Sequence, residues 1–122
     1  MVIKRGELKQ VEESLKKLLN KELPLAAAYL LSKTVKTIEE ELAGIEDTRK
    51  KLVSKYGVKV EGDGRIVVPP DKMPEFLKEF DLLLDTDLEL NYSPIPLKTF
   101  GTKLELSAVD LVNLHRFIKE DE

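Results

Sequence analysis

The sequence predicts an α+β fold in which one long central helix and three shorter helices pack on a small, mainly antiparallel sheet. Three observations carry that expectation. Ala28, Leu31, Val35, Ile38, Leu42, Ile45, Arg49, Leu52 and Tyr56 recur at alternating three- and four-residue steps, the spacing by which a helix lays a narrow apolar seam on another helix. After Gly57 the period becomes two, and Val58 and Val60 are separated from Ile66 and Val68 by Gly62-Asp63-Gly64, a hairpin signal. Helical stripes then return after Pro69-Pro70 and again after Leu106.

Taken in order, Val2 to Arg5 form a short strand that Gly6 ends. Residues 7–20 carry a stripe of Leu8, Val11, Leu15, Leu18 and Leu19, and Asn20 with Pro24 marks its end, because a residue preceding proline is pushed out of helical geometry. Pro24 suits the first turn of the next helix, which spans 23–56. Gly57 is expected to close it as a left-handed cap. The internal Gly44 costs about 1 kcal/mol relative to alanine and reads as a tolerated glycine on the outer face. Asp71 is the expected cap of a third helix to Leu84, with Pro74 in its first turn and Met73, Phe76, Leu77, Phe80, Leu83 and Leu84 on its apolar side. Leu88, Leu90 and Tyr92 alternate as a strand, and Ile95 and Leu97 form an edge segment between prolines. Leu104 and Leu106 lead into the last helix, where Ser107 and Asp110 make a capping box. Val109, Leu111, Val112, Leu114 and Ile118 are its expected buried side.

The 122 residues are long enough for one domain with its own core, helical over 1–57 and mixed over 58–122. A chain that is 42% hydrophobic and 35% charged is globular rather than disordered. Its longest apolar run, 23–31, is broken by Pro24 and falls short of the ~20 residues of a membrane span, so no membrane partner is expected. The first residues lack the apolar core of an export signal, which places the chain in the cytosol. A net charge of −3, with lysines interleaved among glutamates, argues against nonspecific nucleic-acid binding. A 34-residue helix is about 50 Å long, against a diameter of about 28 Å for a compact domain of this size. One end therefore protrudes, or a second copy covers the seam of Leu31, Val35, Ile38, Leu42, Ile45 and Leu52. The competing arrangement has the first and last helices cover that seam within one chain.

Chemistry is thinly signalled. Arg49 is the one charge on the seam; it faces an anion or a carboxylate across a subunit boundary, or it snorkels where the seam meets solvent. His115 is the only histidine and no cysteine exists, so nucleophilic triads and zinc sites lack ligands, and a half-exposed structural histidine is expected. The carboxylates Glu39, Glu40, Glu41, Glu46, Asp47, Asp81 and Asp85 have the composition of a magnesium-dependent nucleotide pyrophosphatase without its spacing. Glu39 to Glu41 read as a solvated face, and no metal or cofactor is expected. Among Tyr29, Tyr56, Tyr92, Phe76, Phe80, Phe100 and Phe117, the first candidate for an exposed stacking surface is Tyr92, beside Asn91. Phe76 and Phe80, four residues apart, read as core. Arg65 and Arg116 complete the candidate ligand set of Arg49, Arg65, Asn91, Tyr92, His115 and Arg116.

Leu23-Pro24 with Ala28-Tyr29, the charged helix ending in Lys51-Leu52-Val53-Ser54-Lys55-Tyr56-Gly57, the Gly62-Asp63-Gly64 turn before Ile66-Val67-Val68-Pro69, and Leu106-Ser107-Ala108-Val109-Asp110-Leu111 follow one another in an order that resembles a family of small proteins encoded by tailed phages and prophages of Gram-positive bacteria. The resemblance spans nearly the whole chain and carries no catalytic residues. It implies a phage context, in the cytoplasm of an infected bacterium or in the virion. The first expectation is a non-enzymatic accessory protein, a homo-oligomer that binds a host protein or sequesters a small signalling nucleotide of host defence. The second is a head, neck or tail component of the particle, and the third the pyrophosphatase.

Overall fold

The central rod forms as one unbroken helix. In the computed structural model, which describes residues 1–100 and 106–119, it is α2, Leu25–Tyr56, with Pro24 at its N-cap. Its 32 residues span about 48 Å at 1.5 Å per residue. Before it come β1 (Val2–Lys4), a single 3-10 turn (Arg5–Glu7) and α1 (Leu8–Leu19). After it come β2 (Val58–Lys59), β3 (Ile66–Val67), α3 (Met73–Leu84), β4 (Asp87–Glu89), β5 (Ile95–Pro96), a second 3-10 turn (Leu97–Phe100), α4 (Ala108–Leu114) and β6 (Ile118–Lys119). No helix of the described residues is long and apolar enough to cross a membrane. The α+β class with one dominant helix is as the periodicity predicts.

The seam of the rod is covered from within the chain. Leu31, Val35 and Ile38 are buried, and Leu42 and Ile45 are half-buried against the same core. Packed on them is α1 through Leu8, Val11, Leu15 and Leu18, joined by Ile3, Ala27, Leu90, Ile95, Phe100, Leu114 and Phe117. Five of the six seam residues assigned to contact between copies, Leu31, Val35, Ile38, Leu42 and Ile45, thus pack within the chain. Leu52 and Arg49, further along, are half-buried where α3 and the hairpin lie against the rod. The core fills one half of the helix, and a thinner layer covers the other.

Several local expectations change. Gly57 is extended, at φ −85° and ψ 161°, not left-handed. A Cβ there would collide with the Val53 carbonyl and the Ile66 side chain, so glycine is required for close approach of the hairpin to the helix end. Asp71 does not cap α3: Lys72 stands at the N-cap with no side-chain hydrogen bond, while Pro74 lies in the first turn as expected. Of the apolar side of α3 only Phe76 is buried; Met73 and Leu77 are exposed. Gly44 sits on the outer face with open space beside it. Leu104 lies outside the described residues.

Among the described residues the strands form three two-stranded ladders: β1 with β4 and β2 with β3, both antiparallel, and β5 with β6, parallel. Ile118 pairs with Ile95 and so belongs to a strand, not to the last helix. Helix α4 stops at Leu114, and Val109, Leu111 and Val112 are exposed rather than buried. The reason is Asp110. Its backbone N–H reaches the Ser107 hydroxyl at 3.1 Å, the predicted cap, while its carboxylate turns into α1. There it accepts from Ser14 at 2.9 Å and Lys17 at 3.3 Å, and from Ser107 at 2.9 Å. Asn113 in turn donates to Ser14 at 3.1 Å. A polar bond fixes which face of α4 is inside, and that face is not the valine-rich one.

Candidate functional site

Beyond Ile45 the rod has left the core, and its flank is shared by the hairpin and α3. The hairpin follows α2 at once because Gly57 lets β2 turn back, and Gly62 and Gly64, at φ +101° and +74°, close its turn. Glu79 ties α3 to the last turn of α2, accepting from Lys55 at 2.8 Å and from the Tyr56 hydroxyl at 2.6 Å. The Lys55 and Tyr56 hydrogen bonds hold the Glu79 carboxyl below its ordinary range, and the Glu79 bond raises the Tyr56 phenol above its own.

Between these three elements lies a cleft of about 670 Å³, within the ~300–1,000 Å³ usual for small-molecule sites. Arg49, Lys50, Val53 and Ser54 of α2 form one wall, Gly64, Ile66, Val67 and Val68 the second, and Met73 and Phe76 of α3 the third. The charged side chains of this lining are both cationic. Lys50 makes no ion pair or hydrogen bond among the described residues. Arg49 holds Glu46, one turn back on α2, through Nε at 2.9 Å and Nη2 at 2.7 Å. That two-bond contact lowers the Glu46 carboxyl and raises the Arg49 guanidinium relative to their ordinary values.

A second cavity of about 650 Å³ opens where the 3-10 turn, α1, α2 and α3 meet. Its floor is Leu42, Ala43, Ile45, Phe80 and Leu84, and its rim carries Arg5, Lys9, Glu12, Glu39 and Glu46. The rim is largely self-neutralised: Lys16 holds Glu39 at 3.1 Å and Glu12 at 3.5 Å, Arg5 holds Glu41 at 2.6 Å, and Arg49 holds Glu46. Of the acidic constellation of the sequence, Glu39, Glu41, Glu46 and Asp85 are therefore held in separate ion pairs, Asp85 with Lys4 at 2.6 Å. No group of three metal-ligating side chains occurs among the described residues.

Of the six candidate ligand residues one lines the cleft and the other five do not. Arg49 lines the cleft, whereas Arg65 stands at the hairpin tip, exposed and bound to Asp63 at 2.7 Å. Tyr92 is not the exposed aromatic: its hydroxyl donates to the Phe117 carbonyl at 2.7 Å and its ring packs on Phe117 with centroids 5.0 Å apart. Burial pushes its phenol well above the ordinary tyrosine value. Asn91 is exposed. Arg116 holds Glu7 at 2.6 Å and reaches the Val2 carbonyl at 3.4 Å, tying the chain's two ends together. His115 follows α4 as its C-cap and is exposed, with Nδ1 2.7 Å from the Val112 carbonyl. Lys50, Val53 and Ser54 are the cleft residues that sequence reasoning missed. The signal was the hairpin starting directly at Gly57, which folds back over the preceding two turns of helix. No protein-family model, curated protein or solved structure matches the chain.

Proposed function

We propose that the protein works by binding, and that its ligand is a small anionic molecule held in the cleft between α2, the hairpin and α3. The observation that supports this reading is the cleft's lining: two adjacent cations, Arg49 and Lys50, above a floor of Val53, Ile66, Val68, Met73 and Phe76. Charge-assisted hydrogen bonds fix the anionic group and the apolar floor takes the body. Sequestration by a phage accessory protein in an infected bacterium needs nothing more than such a pocket, so a signalling nucleotide of the host is a ligand of suitable chemistry. Thermal-shift measurements of the full chain with pyrophosphate, linear nucleotides and cyclic nucleotides test the reading. At least one should raise Tm, and Lys50→Glu should abolish the rise; no shift with any of them overturns it.

A second reading, a structural component of the phage particle, is favoured by the outer face of α4, where Val109 and Val112 are 67% and 68% exposed beside Leu111. An apolar face of this kind marks contact surface in many proteins. Mass spectrometry of purified virions decides it: presence at stoichiometric amounts supports particle assembly, and absence removes it.

A further inference from the structure

Arg49 lines the cleft but is not free, and what holds it restricts what can replace the holder. We infer that the cleft selects a soluble organic phosphate monoester over a carboxylate of the same size, and that Arg49, held by Glu46, sets this selectivity. The inference rests on the anion-binding reading of the cleft. Both oxygens of Glu46 lie on the Nε–Nη2 edge of the guanidinium, at 2.9 Å and 2.7 Å, the edge that matches a planar carboxylate.

A ligand bearing one carboxylate can take that edge only by exchanging like for like. One two-bond pair forms, an equivalent one breaks, and the broken one was already intramolecular, one helical turn away. Such a ligand gains little. A phosphate monoester is different: near pH 7 it carries about 1.5 to 2 negative charges and three acceptor oxygens. It can displace Glu46 from Arg49 and still place an oxygen on the ammonium of Lys50, the next residue along the same wall.

Displacement leaves nothing stranded. The Glu46 and Arg49 side chains are 48% and 41% exposed, so both groups remain in reach of water when the pair opens. The released carboxylate stays in water at the rim of the neighbouring cavity. The apolar floor ending in Met73 and Phe76 favours an ester with an organic body over inorganic phosphate, whose binding leaves that floor wet.

Calorimetric titration of the full chain with phenyl phosphate, benzoate and inorganic phosphate tests the inference, in the native chain and in Arg49→Gln. Gln removes the guanidinium at a half-exposed position. The native chain should bind phenyl phosphate at least tenfold more tightly than benzoate, and more tightly than inorganic phosphate. In Arg49→Gln phenyl phosphate should lose more than benzoate, so that the ratio narrows. Equal affinities in the native chain, or an unchanged ratio in Arg49→Gln, overturn the selectivity while leaving anion binding in place. Failure of both ring compounds to bind either protein overturns anion binding in the cleft as well. Vesicles of phosphatidylcholine with phosphatidic acid separate a lipid headgroup from a soluble ester: binding to them without binding to phenyl phosphate overturns the soluble ligand.

Discussion

Asp110 shows how one side chain decides an orientation that hydropathy alone assigns to another face. Its carboxylate is held below the ordinary aspartate value of 3.8 by the Ser107 hydrogen bond first, with Ser14 and Lys17 adding to it against the cost of desolvation. A carboxyl whose folded-state pKa is depressed contributes stability above its unfolded value and loses it as pH falls through the folded one. The fold should therefore weaken below about pH 4, and Asp110→Asn should flatten that dependence while lowering Tm at pH 7. Thermal melts from pH 2.5 to 7 check this; parallel curves for the two proteins would refute it. The spacing of Ser107 and Asp110 exposes half of this arrangement, the cap. The other half, the bond to Ser14 and Lys17 across more than ninety residues of chain, depends on how α4 meets α1 and has no local signature.

At the scale of elements, the two glycines that bracket the second half of α2 act in opposite ways. Gly44 meets open space, so Gly44→Ala removes only the entropy disadvantage of glycine in a helix. It should stabilise by about 1 kcal/mol, a rise of roughly 3–4 °C in Tm. Gly57→Ala should instead lower Tm, because the added methyl collides with the Val53 carbonyl and the Ile66 side chain and pushes the hairpin away from the helix. Differential scanning calorimetry of the two variants should give shifts of opposite sign, and ligand binding in the cleft should weaken only in Gly57→Ala. The periodicity of α2 and the hairpin turn were both legible in the sequence, since a 3.5-residue repeat and a Gly-Asp-Gly turn are local patterns. The end of α4 was not legible. Ile118 fits a helical stripe and a strand equally well, and its pairing with Ile95 decides between them.

The whole molecule is unevenly built. Among the described residues, the fully buried side chains of α2 all lie between Ala27 and Ile38, while Phe76 is the one buried residue of α3. Regions with few buried apolar contacts open at lower free energy than a packed core. Amides of the second half of α2, the hairpin and α3 should exchange hydrogen faster than those of α1 and residues 27–38, and a ligand in the cleft should slow them selectively. Hydrogen-exchange mass spectrometry reads both effects; uniform protection along α2 would contradict the first. The candidate site was only partly legible, because Arg49 stood out as the charge on an apolar seam whereas Lys50 looked like any solvated lysine. The sequence by itself determined the α+β class, the single long helix and the hairpin, because helical and strand periods and turn glycines act over a few residues. Only the tertiary structure decided that the seam is closed by the chain's own α1, that the strands split into three ladders, and that Arg49 and Lys50 share a cleft. Those outcomes depend on which distant segments meet, and a pattern of neighbours along the chain does not contain them.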